Sequence, residues 1–234
     1  MSQKRTIVAF DADDTLWHNE RYFQMSQERF HNLLAPYSDA DHLSERLLAA
    51  ERRNLGHYGY GIKGFMLSMI ETAIEVTDQK VSASVIAELL AVGQDMLAHP
   101  IELLPGVDEV IRKVSETHQV LLITKGDLMD QERKLAQSGL GDEFDGVEIV
   151  SEKRPETYAK IFQSYGSSPE HSMMIGNSLK SDVLPVLDIG AWGVHVPHEL
   201  TWVLEHAEAP ADHGRFRELN ALTELPLLLE EIAF

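Results

Sequence analysis

Short apolar runs alternate with stretches of helical periodicity along most of this chain, and one long block near the N-terminus breaks the alternation. The run 6–10, Thr6-Ile7-Val8-Ala9-Phe10, has the composition of a strand buried on both faces. From 17 to 99 the apolar residues are instead spaced by three and four: Phe23, Phe30 and Leu33-Leu34, then Leu43 and Leu47-Leu48, then Phe65-Met66 and Met69-Ile70. That spacing predicts helices. A glycine- and aromatic-rich break over 56–64 interrupts them, and a further helix is predicted over 82–98, with Ser82 or Ser84 as its N-cap.

Beyond Leu104 the pattern becomes a regular alternation. Helices are predicted over 107–116, 128–138, 155–165 and 180–187, and strands over 120–124, 147–150, 173–176 and, as the last clear one, 193–196. Short apolar strands separated by helices imply a parallel sheet covered on both faces, and the strand 6–10 belongs with it. The expected class is therefore α/β. Residues 1–16 and 100–234 would form the core and 17–99 an all-helical insert, with Pro100 and Pro105-Gly106 punctuating a hinge.

Charge and composition narrow the range of functions. The formal net charge of −18 argues against a nucleic-acid or anionic-membrane partner, both of which need clustered lysine and arginine. It leaves room for a small phosphorylated metabolite, because a bound cation and one or two lysines reverse the field locally. The absence of cysteine removes disulfides, thiolate metal sites and cysteine nucleophiles. Met1-Ser2-Gln3-Lys4-Arg5 leads straight into the first strand without a signal-peptide run, and no apolar run reaches membrane-spanning length. The expectation is a soluble, cytoplasmic protein.

The chemistry concentrates at strand ends. Asp11, Asp13 and Asp14 crowd three carboxylates into the four residues after strand 6–10. In a packed domain such groups repel one another and lose water, so they need a cation or a positively charged neighbour to stay ionised. Asp11 and Asp13 share a side while the chain stays extended, which suits a nucleophilic carboxylate beside an acid/base carboxylate. Thr124, Lys125 and Gly126 follow the second strand, Lys153 the third, and Asn177 and Asp182 the fourth. In open α/β sheets the carboxyl ends of the strands converge on one edge, so these scattered residues form one site by topology.

On these residues the chain resembles phosphatases of the haloacid dehalogenase (HAD) superfamily, in the subfamily whose helical cap is inserted after the first motif. The first motif is Asp11-Ala12-Asp13-Asp14-Thr15 and the second Ile123-Thr124; the lysine signature is Lys153 in Ser151-Glu152-Lys153-Arg154-Pro155. The fourth is Ile175-Gly176-Asn177-Ser178-Leu179-Lys180-Ser181-Asp182. The resemblance implies a Rossmannoid parallel sheet with helices on both faces, an all-α cap that closes over it, and Mg²⁺ as cofactor. Asp11 would then be the nucleophile that forms an aspartyl-phosphate, and Asp13 the general acid and base. Thr124, with the backbone amides of Lys125 and Gly126, would cradle the phosphate, and Lys153 would offset its charge. Asp11, the backbone carbonyl of Asp13, Asp182 and Asn177 would provide metal ligands.

Two positions depart from the pattern. Asn177 stands where an acid is usual, which implies weaker Mg²⁺ affinity. Arg154 separates Lys153 from Pro155, and Lys153 is preferred because it lies nearer the strand end. Several neighbours have ordinary explanations. Asp14 and Thr15 suit turn and helix N-terminal amides, and His195 and His198 read as structural or surface residues without a third ligand nearby. Tyr58, Tyr60 and Phe65 suit the core of the insert or a substrate-facing loop, and Lys63 suits a solvated lysine ahead of a ligand for a substrate anion. Among rivals, a dehalogenase or phosphonate hydrolase of the same fold lacks the second acid, here Asp13. A phosphomutase keeps both aspartates and differs only in the acceptor. A receiver-like phosphate- and metal-binding module would place its acceptor after the third strand and carry no such insert.

Overall fold

The computed structural model describes residues 6–232 and 234, so the expectation placed on Met1 to Arg5 lies outside the described residues. The chain divides into two compact units. One comprises the chain up to Glu20 with Ile101–Lys125 and Arg133–Phe234; the other comprises Arg21–Pro100 and Gly126–Glu132.

The first unit is built on a parallel sheet. Among the described residues its strands are β1 (Ile7–Phe10), β2 (Gln119–Lys125), β3 (Gly146–Val150), β4 (Ser172–Gly176), β5 (Trp192–His195) and β6 (Phe216–Glu218), in the order β3-β2-β1-β4-β5-β6. β1 is central and wholly buried, with Phe10 in register with Leu122 of β2 on one side and Ile175 of β4 on the other. Alternation along the strands divides the core between two faces. Val8, Phe10, Val120, Leu122, Met173 and Ile175 pack on one face, and Ile7, Ala9, Leu121, Ile123 and Met174 on the other.

Helices cover both faces. On the first lies α5 (Val107–Ser115), which buries Val107, Val110, Ile111 and Val114, the i, i+3, i+4, i+7 stripe of an amphipathic helix. Its Asp108 and Glu109 lie in the first turn and Arg112 and Lys113 in the last, the signs that suit the helix dipole. On the second face α7 (Pro155–Ser164) contributes Tyr158, Ile161 and Phe162, and α8 (Leu184–Asp188) contributes Val186.

The sequence pattern and the structure part at two places here. The helix expected over 180–187 is a π-helical turn over Leu179–Val183 followed by the short α8. Pro185 accounts for part of this: it has no N–H to give to the carbonyl four residues back, and the Tyr158 hydroxyl donates to that Ser181 oxygen at 3.0 Å instead. The strand over 193–196 is not the last. β6 follows it, paired to β5, and α9 (Leu225–Glu231) packs Leu225 and Leu228 into the first core face.

The second unit is helical: α1 (Glu20–Leu34), α2 (Ala40–Tyr58), α3 (Ile62–Val76) and α4 (Ala83–Ala98), with the start of α6 (Leu128–Ser138) joined to it. Asp39 caps α2 by accepting from the His42 amide at 2.9 Å, and Ser82 caps α4 by accepting from the Val85 amide at 3.3 Å. Phe30, Leu34, Leu43, Leu47, Phe65, Met69, Leu89 and Val92 form its core. The break expected over 56–64 is shorter. α2 runs on to Tyr58, Gly59 and Gly61 take positive φ of 71° and 102°, and α3 begins at Ile62. Phe65 is therefore a core residue, while Tyr58 is exposed and donates to Glu71. Lys63 pairs with Asp127, 3.0 Å from each carboxylate oxygen. Among the described residues no helix is long and apolar enough to cross a membrane.

Burial alone pushes the Glu51 carboxyl on α2 up to about 7. The folded chain then holds this proton more tightly than the unfolded one, so the group costs stability as pH rises from the ordinary carboxylate value through about 7. Glu51→Gln is expected to melt a few degrees above the parent at about pH 8, with the gap closing toward about pH 5. Thermal unfolding followed by circular dichroism across that range checks it; an unchanged gap would exclude titration of Glu51 as the cause.

Candidate active site

The end of β1 carries the chain out of the sheet between its two neighbours. The Asp11 amide still donates to the Ile175 carbonyl of β4 at 2.8 Å, so Asp11 is fixed by sheet geometry although it lies one residue past the strand. Its carboxylate is buried and receives a hydrogen bond from the Lys153 ammonium. The same ammonium donates to Asp182 Oδ1 at 2.6 Å. Lys153 is buried too, at the end of the segment that links β3 to α7, whereas its neighbour Arg154 is exposed.

Asp182 is fully buried in the π-helical turn after β4. Its second oxygen accepts from the Ser178 amide at 3.0 Å. The close approach of strand and carboxylate depends on Gly176, because a Cβ there would stand 2.1 Å from Asp182 Oδ2. Thr15 completes the ring: its hydroxyl lies 3.3 Å from both Asp11 Oδ2 and Asn177 Oδ1 and accepts from the Asn177 amide at 3.0 Å.

The electrostatics of this group follow from its burial. Loss of water pushes the Asp11 carboxyl up to about 7, with Asp182 and Asp13 adding to the rise and Lys153 opposing it. Burial works against the charge on Lys153, but Asp11 and Asp182 outweigh it and hold the ammonium above the usual lysine range. One ammonium thus serves two buried carboxylates. The surplus negative charge and the hard oxygen donors suit a small divalent cation.

Asp13 lies on a different set of partners. Both of its oxygens accept from the Lys134 ammonium, at 2.9 and 3.0 Å, and Oδ1 also accepts from the Trp17 indole at 2.8 Å. Lys134 is itself buried and donates to Asn19 Oδ1 at 2.8 Å. Asp14 takes the structural place expected of it, accepting the amides of Asn19 at 2.8 Å and Glu20 at 2.9 Å at the start of α1. Burial pushes Asp14 up to about 6, against the Asn19 amide and His198, which pull it down.

Thr124 is buried near the end of β2. Lys125 is the last residue of that strand, and its ammonium is bound to acid: 2.6 Å from Glu205 and 2.8 Å from the Ser181 hydroxyl. Glu205 also accepts from Ser178 at 2.6 Å and from Ser181; burial pushes its carboxyl up, but the Lys125 charge first, and then these hydrogen bonds, hold it below the usual range. Gly126 has φ of 149°, and a Cβ there would meet the Gln131 amide nitrogen at 2.9 Å. The fifth-strand histidine, His195, bridges Glu218 at 2.9 Å and the Asn177 carbonyl at 3.2 Å.

The structure therefore gathers Asp11, Lys153 and Asp182 into direct contact, joins Asn177 to them through Thr15, and sets Asp13 beside Lys134. The sequence reading missed Lys134, Trp17 and Glu205. None has a local signature; Lys134 reads as one more helix lysine until its ammonium is seen to reach Asp13 and Asn19 after β1.

The chain matches the family model described as haloacid dehalogenase-like hydrolase over residues 6–190. A curated relative, the glyceraldehyde 3-phosphate phosphatase of Pyrococcus furiosus, is 23% identical over 233 residues, covering 96% of this chain and 91% of that one. The crystal structure of a haloacid dehalogenase-like family hydrolase from Xanthomonas campestris is 43% identical, with a TM-score of 0.88, covering 98% of this chain and 92% of that one. A putative HAD-hydrolase of Bacillus subtilis bound to magnesium shares the fold at a TM-score of 0.65 and 16% identity, covering 97% of this chain and 99% of the other.

Gly176→Ala tests how tightly the strand and Asp182 are fitted. Forcing a methyl into that gap is expected to cost roughly 1–3 kcal/mol and lower the melting temperature by several degrees. Gly141→Ala, where a Cβ meets nothing within 4 Å, is expected to leave it within about 1 °C. Equal melting of the two variants would show that Asp182 has room to move.

Proposed function

The chain belongs to the haloacid dehalogenase-like hydrolases, and on that footing we propose that it is a Mg²⁺-dependent phosphatase that hydrolyses a small phosphomonoester through an aspartyl-phosphate. The observation that carries this reading is the buried Asp11–Lys153–Asp182 contact with a second carboxylate, Asp13, two residues on. A dehalogenase of this fold has no use for that second acid.

The steps follow from these side chains. A carboxylate oxygen of Asp11 attacks phosphorus as the bond to the ester oxygen breaks, and Asp13 gives its proton to the departing alkoxide. Asp13, now a carboxylate, takes a proton from water. That oxygen attacks phosphorus, the bond to Asp11 breaks, and inorganic phosphate leaves with Asp11 restored. Lys153 holds Asp11 in place and offsets negative charge as the phosphoryl group arrives. Thr124 and the amides of Lys125 and Gly126 are proposed to bind phosphoryl oxygens. Lys134 and Trp17 aim the Asp13 carboxylate, and Lys134 must yield when Asp13 takes up its proton. Asp11, the Asp13 carbonyl, Asp182 and the Asn177 amide would hold the Mg²⁺, which supplies charge neutralisation at the phosphate. The helical unit would act as a cap that shapes the substrate pocket.

Hydrolysis of p-nitrophenyl phosphate, followed by a panel of phosphorylated metabolites that includes glyceraldehyde 3-phosphate, tests the reading. Turnover with Mg²⁺ is expected, with loss in EDTA and a drop of roughly 10³-fold or more in Asp11→Asn. No release of inorganic phosphate from any ester would overturn hydrolysis, and isomerised sugar phosphate without such release would reassign the chain as a mutase.

Lys134 is expected to act as a positioning residue. Lys134→Met should lower kcat by on the order of tenfold to a hundredfold with KM changed by less than about threefold, and Lys134→Arg should recover part of the loss. An equal rise in KM with kcat intact would place Lys134 in substrate binding instead.

A further inference from the structure

A second group of ligand-type side chains stands on the α/β unit apart from Asp11, Lys153 and Asp182. Asp14, His18 and His198 each offer one ligand atom, and all three atoms lie within 4.8 Å of one another. Asp14 and His18 come from the turn after β1, and His198 from the segment after β5. The fold therefore brings together a pair and a single residue 180 positions apart, which sequence spacing alone does not reveal.

Asp14 and His198 are each held by the main chain with a ligand atom to spare. Asp14 is buried, and the Asn19 and Glu20 amides fix its carboxylate while leaving lone pairs on both oxygens. The His198 Nδ1 is engaged by the main chain of Leu200, 2.9 Å from its carbonyl oxygen and 3.2 Å from its amide. In the tautomer whose Nδ1–H donates to the Leu200 carbonyl, Nε2 keeps its lone pair, the outer-shell arrangement usual for a metal-binding histidine. Nε2 faces Asp14 Oδ1 at 3.7 Å. The gap is too long for a hydrogen bond and close to the ~3.4 Å that separates two ligands of one tetrahedral zinc ion. The His18 and His198 rings meet edge to face with centroids 5.9 Å apart, and one nitrogen of each lies within 4.8 Å of the other and of an Asp14 oxygen.

Two imidazoles and one carboxylate form a nitrogen-rich set. Such a set favours zinc and neighbouring transition ions over Mg²⁺, which takes oxygen ligands. We propose that Asp14, His18 and His198 form a second metal site that takes one divalent transition ion of the zinc class, with water completing its coordination. The site is chemically distinct from the all-oxygen set around Asp11, and the proposal does not depend on the phosphatase reading. The rival account is an ordinary charge pair between a protonated His198 and Asp14.

Equilibrium dialysis of the chelator-stripped full chain against Zn²⁺, with Mg²⁺ in excess and bound zinc counted by elemental analysis, separates the two. One zinc per chain is expected in the parent and in Asp11→Asn, with at least tenfold weaker retention in His18→Ala and in His198→Gln. His171→Ala, elsewhere on the surface, should match the parent. Zinc should also raise the melting temperature of the parent and of Asp11→Asn but not of the two site variants, provided circular dichroism shows these folded. Cobalt substitution gives a second readout, a visible spectrum of nitrogen-ligated Co²⁺ that His198→Gln should abolish. Three results would overturn the proposal: no stoichiometric zinc in the parent, equal retention in both histidine variants, or loss of zinc in Asp11→Asn, which would place the ion among the oxygen ligands.

Discussion

The Lys153 ammonium lies between the carboxylates of Asp11 and Asp182, and each of the three is buried. Removing one partner from such a contact strands a charge away from water, at a cost on the order of 3–5 kcal/mol. The three residues come from the ends of β1, β3 and β4, so the contact forms only when those strands are in register. The central strands β1 and β4 are buried along their whole length and are held by apolar packing on both faces. Stability resides in the strands, and the charged edge is left available for chemistry.

Around that contact the polar groups fall into separate circuits. Lys134 and Trp17 hold Asp13, Thr15 links Asp11 to Asn177, and Glu205 ties Lys125 to Ser178 and Ser181. The last circuit joins the end of β2 to the turn after β4 through a residue from the long connection between β5 and β6. The three lysines thus serve different acids at this edge: Lys153 the pair Asp11 and Asp182, Lys134 Asp13, and Lys125 Glu205.

Much of this was legible in the sequence because the informative residues are local to strand ends. Asp11, Thr124, Lys153 and Asn177 each follow an apolar run, and the rule that such ends converge does the rest. What was not legible has a physical reason in each case. β6 is Phe-Arg-Glu, three residues with two charges, and has no strand signature of its own. Lys134 gains its meaning only from the placement of α6. The turn at 179–183 looked like ordinary helix because Pro185 lies within a helical pattern, and the carbonyl it leaves unbonded finds its donor in Tyr158, from another element. The approach of His198 to Asp14 and His18 has no local signature, because those residues lie 184 and 180 positions away in the chain.

The position of β1 has a consequence for how the protein is made. Of the six strands in this sheet, the earliest in sequence is the one that ends in the middle, flanked by β2 and β4. Until β4 has been synthesised, a nascent chain carries β1 with one edge open, and its four residues are all of the kind that the finished protein hides completely. An open apolar edge invites pairing with other chains. The helical residues that follow β1 in the sequence keep the strand waiting for its partners, so β1 is covered only once the chain has been made through β4.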